Sequence, residues 1–235
     1  MNLHLIFEYL AFFIAFRYYI FLKKKNTDSI SSNNRLSIIL GAAIGALIGS
    51  RFIGILENPL DLINKNIIEL LNTKTIMGGL FGGLLGVEIT KKIIGEHKSS
   101  GDLFTFPIIV GIIIGRIGCF LSGTDEFTYG KETLLFTGMD LGDGIMRHPI
   151  ALYEIIFLIL LLILLKRIKY YNNLTSGLLF KLFMIAYFGF RFCIEFLKPN
   201  VFFLIGLSTI QILCLICLVY YRKSISLIKT IKIAR

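Results

Sequence analysis

The chain has 235 residues, 55% of them hydrophobic, and a mean hydropathy of +0.77, above the roughly 45–50% apolar content of soluble domains. Its apolar residues gather in runs of about 20 with few internal charges, long enough to cross a hydrocarbon core of roughly 30 Å; this marks an integral membrane protein, and the lack of alternation favours helices over a β-barrel. The formal charge of +10 comes from basic residues clustered at the ends of these runs, which marks topology and attraction to anionic lipid, not a nucleic-acid surface.

The predicted fold is an all-α, polytopic membrane protein of one domain, residues 1–235, with seven transmembrane helices at 3–22, 36–56, 75–95, 104–122, 149–166, 175–197 and 201–221. Span one lacks a basic leader and a small-residue cleavage site, and Lys23, Lys24 and Lys25 follow it; this pattern suits an uncleaved first span. Basic residues then alternate loop by loop. The first connection carries these lysines and Arg35, the third Lys91, Lys92 and Lys98, and the fifth Lys166, Arg167 and Lys169. Acidic residues dominate the second connection, with Glu57, Asp61 and Glu69, and the fourth, with Asp125, Glu126, Glu132, Asp140 and Asp143. The positive-inside rule therefore places the N-terminus outside and the C-terminus in the cytoplasm. Within the second connection, residues 60–71 are amphipathic and are expected to lie on the outer membrane surface.

Small residues recur at helical spacing: Gly41, Gly45 and Gly49 in span two, Gly111, Gly115 and Gly118 in span four, while Gly78, Gly79, Gly82, Gly83 and Gly86 crowd span three. Such stripes let membrane helices approach closely, so spans two to four are expected to form a tight central bundle. Of the cysteines, Cys119, Cys193, Cys214 and Cys217, the last two form a CxxC inside an apolar run without a second pair or histidines. Packing is the expected role, and no metal site is expected from the ligand spacing.

Ionisable residues inside the spans are the strongest functional signal, because each costs about 2.5–3.5 kcal/mol at a helix centre unless partnered. Arg17 sits where it can snorkel toward the lysines after span one, and Glu88 can pair with Lys91 and Lys92. Glu8 is expected to face a cavity. Arg51, Arg116, Arg191 and Glu195 are all placed in the outer half of the bilayer. Arg191 and Glu195 stand four apart on one helix face; this is either a buried ion pair stitching helices or a guanidinium fork steadied by a carboxylate and suited to a phosphate. Arg147 and His148 open span five, with Tyr153 and Glu154 about one turn on; neutral imidazole can accept a thiol proton. His4 and His97 have no comparable neighbours in sequence.

Together, "GRIGCF", "RHPIALYE" and "YFGFRFCIEFLKP" resemble the bacterial prolipoprotein diacylglyceryl transferases, over about residues 75 to 200, with "MGGLFGGLLG" resembling that family's His-Gly-Gly-Leu segment. The resemblance implies a seven-spanning protein of the bacterial inner membrane. It implies transfer of the diacylglyceryl group of phosphatidylglycerol to the lipobox cysteine of a prolipoprotein signal peptide, without a cofactor. The family's motif arginine falls on Arg116, its second essential arginine on Arg191, the following acid on Glu195 and its tyrosine on Tyr187. The expected catalytic set is Arg116, His148, Arg191 and Glu195. The expected substrate-binding set is Arg116, Gly115, Gly118, Arg147, Tyr187, Arg191 and Glu154. Four positions depart from the family: Met77 stands at its histidine, Cys119 and Ser122 at two asparagines, and Thr124 at a glutamate. His148 is left as the expected base. The alternative is a divergent member that binds outer-leaflet phospholipid or modifies another acceptor. A transporter fits less well, since the charges gather at one depth and no inverted repeat is visible.

Overall fold

A computed structural model describes residues 3–26, 28–57, 66, 70, 73–125, 127–172, 174–199 and 206–224. Its long elements are helices: α1 (Leu3–Lys25), α2 (Ser32–Glu57), α3 (Ile76–Ile94), α4 (Asp102–Leu121), α5 (Ile150–Tyr171), α6 (Leu178–Ile194) and α7 (Thr209–Tyr220). Each expected span falls on one of them, although α7 begins at Thr209 and residues 201–205 lie outside the described residues. The expected surface segment 60–71 also lies outside them, residues 66 and 70 apart.

Local chemistry fixes the helix ends. The Thr75 side chain accepts the Gly78 N–H at 3.0 Å and caps α3, which closes on Gly95 at φ +68°. Asp102, in the first turn of α4, reaches across to accept the N–H groups of Gly177 (2.6 Å) and Phe180 (3.0 Å), so its charge also meets the positive end of α6. Ser208 and Gln211 form a reciprocal capping box at the start of α7.

By length and composition α1, α2 and α4 can cross a membrane. The other helices miss that standard for visible reasons: α3 carries Glu88, Lys91 and Lys92, α5 carries Glu154, Lys166 and Arg167, and α6 and α7 have only 17 and 12 residues. Burial runs opposite to that of a soluble protein. Phe12, Phe13, Phe16, Leu40, Ile44 and Leu47 point outward, whereas Arg116, Glu154, Arg191, Glu195 and Gln211 are buried. That distribution fits a lipid surround. Ile109, Leu158, Phe183, Phe188, Cys214 and Cys217, from α4 to α7, form the apolar core, joined by Met77 and Leu84 of α3.

The glycine stripes resolve into two seams, not one bundle. On α2 and α3, Gly41, Gly45 and Gly49 face Gly86, Gly82 and Gly78. A Cβ on Gly82 would lie 2.8 Å from Gly49 Cα and closer still to the Gly45 carbonyl oxygen. Span four pairs elsewhere: Gly111 meets Ala15 and Gly118 meets Phe7, both on α1. The stripe on α4 is thus complementary to side chains of α1, which is why the expected three-helix bundle becomes α2 against α3 and α1 against α4.

Two groups of contacts define the two ends of the structure. Glu8–Lys74, Lys198–Glu57 and Thr209–Leu56 gather the N-termini of α1, α3 and α7 with the C-terminus of α2. Asn34–Glu96, Arg35–Ser100 and Asp102–Gly177 gather the opposite ends. Glu8, expected from sequence to face a cavity, is paired with Lys74 of the loop before α3. Glu88 lies 3.9 Å from Lys91, and Arg17 is exposed as suits an anchor.

Candidate functional site

Three helix ends converge on one point. Arg116 lies in the last turns of α4, Glu154 just inside α5 after Pro149, and Tyr187 and Arg191 on one face of α6, with Glu195 one turn further in a 3₁₀ segment (Glu195–Leu197). The spacing of four between Tyr187, Arg191 and Glu195 stacks them along that face.

Glu154 is the hub. One of its oxygens lies 2.9 Å from Arg116 Nε and accepts the Tyr187 hydroxyl. The other accepts from Arg191 at 2.8 Å. Arg191 also donates to Glu195 at 3.0 Å. Lys198 lies 3.6 Å from Glu195 and donates to Glu57 at 3.0 Å. Glu154 and Glu195 are fully buried, and Arg116, Arg191 and Lys198 nearly so. Three cations thus face three carboxylates, which lets charges of this kind persist away from water. The balance leaves a donor over. Arg116 Nε is met by the Glu154 carboxylate, whereas the buried Nε of Arg191 has no hydrogen-bond acceptor among the described residues. Unmet buried donors are uncommon and call for an explanation.

Beside this hub, Arg116 reaches Cys119 Sγ at 3.8 Å, and the same sulfur lies 3.8 Å from His4 Nδ1. His4 therefore does have company, contrary to its reading from sequence. The clue was available, because the topology placed the start of span one at the same membrane face as Arg116. Lys198 and Glu57 were likewise missed, since a single lysine in a short loop reads as a span end.

The remaining expected residues lie around the hub. His148 is buried with Nδ1 3.3 Å from the Tyr153 hydroxyl, which donates to Thr137 at 2.7 Å. Main-chain bonds from Gly130 N–H to the His148 carbonyl and from His148 N–H to the Lys131 carbonyl fix it in the loop before α5. That loop also carries a short antiparallel pair, β1 (Met139–Asp140) with β2 (Met146–Arg147), and ties to the end of α6 through Lys131 N–H and the Leu197 carbonyl at 2.7 Å. Arg147 faces the loop and not the hub: it donates to Asp143 at 2.7 Å and lies over the Tyr129 ring. The hydrogen bond from Arg147 holds the Asp143 carboxyl below its ordinary range. Gly118 is covered by Phe7, whereas a Cβ on Gly115 would meet nothing within 4 Å. Arg51 is half-buried with no ion pair among the described residues, and Met77 is packed in the core. The cavity bordered by Cys119, Leu141 and Ile150 measures only about 10 Å³, at most a water's worth.

Fold and site together define a helical membrane protein organised around a buried guanidinium–carboxylate cluster. Residues 4–222 match the prolipoprotein diacylglyceryl transferase family, and the chain belongs to it. Proteins named phosphatidylglycerol–prolipoprotein diacylglyceryl transferase are similar along most of its length. That of Ehrlichia ruminantium (strain Welgevonden) is 33% identical over 202 residues, covering 80% of this chain and 76% of its own. That of Nitratidesulfovibrio vulgaris (strain DP4) is 32% identical over 194 residues, covering 77% and 69%. That of Wolbachia pipientis from Culex pipiens (strain wPip) is 29% identical over 202 residues, covering 79% and 73%.

Proposed function

We propose that this protein is a phosphatidylglycerol–prolipoprotein diacylglyceryl transferase of the bacterial inner membrane, with seven spans, its N-terminus outside and the arginine cluster in the outer leaflet. The observation that carries the reading is the pair of buried guanidinium groups held together by one carboxylate, with the Nε donor of Arg191 left unmet. Two convergent arginines present the planar, charge-assisted donors that a phosphodiester accepts.

In the reaction the lipobox cysteine sulfur forms a bond to the terminal glyceryl carbon of the lipid. The bond from that carbon to the phosphate oxygen breaks, and glycerol phosphate leaves with the electron pair. Arg116 and Arg191 stabilise the charge that grows on the departing phosphate, an electrostatic contribution that is large where water is excluded. Glu154 sets the distance between the two guanidinium groups, Glu195 orients Arg191, and Tyr187 fixes the Glu154 carboxylate. Gly115 leaves room beside Arg116. The thiol proton passes to an imidazole. His148 takes this part in the leading reading, with Arg147 at the rim. The link from His4 through Cys119 to Arg116 favours His4 as a second candidate.

The alternative is a family member that holds outer-leaflet phospholipid or modifies another acceptor; Met77 in place of the family histidine favours it. The deciding experiment is complementation of a strain depleted of its own transferase, with lipoprotein lipidation read by mass spectrometry. The wild-type chain is expected to restore the diacylglyceryl adduct and Arg116→Ala to lose it. An active Arg116→Ala protein removes the chemistry from this cluster, and an inactive wild-type chain that still retains phosphatidylglycerol establishes the alternative.

A further inference from the structure

The far end of the bundle carries a second feature that transfer chemistry does not use. Because α1 rests on α4 and α2 on α3, the sequence neighbours α1 and α2 scarcely pack on each other, even near their joined ends at Lys25 and Ser32. A groove of about 580 Å³ opens between them, within the range of ligand clefts, about 300–1,000 Å³. Phe16, Ile20, Leu36 and Ile39 form apolar walls, and Lys23, Lys24 and Arg35 line the same groove.

The polar end is built, not incidental. Arg35 is 3% exposed; its Nε donates to Asp28 at 2.7 Å and another nitrogen to the Ser100 carbonyl at 3.0 Å. Its guanidinium lies 5.8 Å from the Phe104 ring centroid, and Phe104 stacks on Tyr19 at 4.5 Å and 9°. Tyr19 is 7% exposed, lines the groove, and its buried hydroxyl has no hydrogen-bond partner among the described residues. Asp28 pairs with Arg35 and also feels the nearby Lys23, but neither Lys23 nor Lys24 comes within ion-pair distance of a carboxylate among the described residues. Apolar walls beneath an unmet hydroxyl and two lysines have the polarity of an anionic amphiphile.

We propose that this groove binds one anionic glycerophospholipid from the leaflet opposite the arginine cluster. Its phosphate sits at Lys23 and Lys24, where the buried Tyr19 hydroxyl turns outward to meet it, and its acyl chains follow Phe16, Ile20, Leu36 and Ile39. Arg35, held by Asp28, positions Tyr19 through Phe104. The site is separate from the proposed transferase centre and does not depend on transfer.

The test uses the full chain in phosphatidylcholine nanodiscs doped with phosphatidic acid carrying a photoreactive acyl chain, read by native and peptide mass spectrometry. One phosphatidic acid is expected to remain bound and to crosslink to α1 and α2 at the groove. Lys23→Gln with Lys24→Gln is expected to lower retention about tenfold or more, as two headgroup contacts imply. Tyr19→Phe, which changes no charge, is expected to lower it severalfold. The charge-matched pair Lys166→Gln with Arg167→Gln, at the same end on α5, is expected to leave it unchanged. Equal loss from both double variants, equal retention of phosphatidylcholine, or crosslinks spread evenly over the basic end overturns the proposal in favour of diffuse surface attraction. Should the lysine variant not fold, Tyr19→Phe and the wild-type crosslink map decide it.

Discussion

Replacing Glu154 with glutamine preserves its volume and removes one charge from the centre of the cluster. The carboxylate stands 2.9 Å from Arg116 and 2.8 Å from Arg191, has no exposure, and belongs to a set of three cations and three carboxylates. Glu154→Gln leaves that set one positive charge in excess, with both guanidinium groups still buried. A charge pair about 4 Å apart is worth about 4 kcal/mol at an effective dielectric of 20. Two pairs are lost, but the amide keeps part of the hydrogen bonding and the carboxylate no longer has to be desolvated. Removal of one partner from a buried ion pair costs about 3–5 kcal/mol, and that is the expected loss here. It is a large share of a total stability of about 5–15 kcal/mol. Equilibrium unfolding of the reconstituted protein measures it, followed by far-UV circular dichroism. The double variant Glu154→Gln with Arg191→Gln restores charge balance and should recover about 1–3 kcal/mol relative to the sum of the single changes. A single variant within about 1 kcal/mol of wild type, or strictly additive changes, refutes the hub role of Glu154.

Three further outcomes are expected. Gly82→Ala should destabilise the fold by about 1–3 kcal/mol, because its Cβ strikes backbone on α2, whereas Gly79→Ala, whose nearest new neighbour is Ser50 Cβ at 3.7 Å, should be neutral or better in the same unfolding assay. Burial alone would raise the Asp28 carboxyl, but hydrogen bonds from Arg35 and the Ile30 N–H, with Lys23 nearby, hold it below its ordinary range. A depressed carboxylate stabilises the fold fully above its ordinary pKa of about 3.9 and loses that contribution as pH falls through the lower folded value. The stability difference between wild type and Asp28→Asn should therefore shrink as the buffer is acidified through that range. Finally, single-turnover lipidation by His148→Ala and His4→Ala proteins assigns the base: the variant that loses the rate while still binding phosphatidylglycerol carried the proton, and retention of full rate by both removes imidazole from the mechanism.

The helices were legible because apolar runs of this length admit few other structures. Arg191 and Glu195 were legible because four residues is one helical turn, a relation internal to α6. Glu154 was assigned to the site, but its place between two arginines was not, since that depends on how α5 sits against both α4 and α6. His4 was within reach of topology and lost because single histidines carry little signal. The glycine stripes announced close approach without naming the partner: periodicity gives a face of a helix, and only the opposing surface decides what meets it. Hence α4 turned its small residues to α1, where Phe7 and Ala15 fill the space.

The seam between α2 and α3 has a mechanical consequence. Where carbonyl oxygens of one helix rest on α-carbons of the next, no side chain is left to swing aside, and separation requires moving two whole backbones. The pair should therefore shift as a stiff paddle.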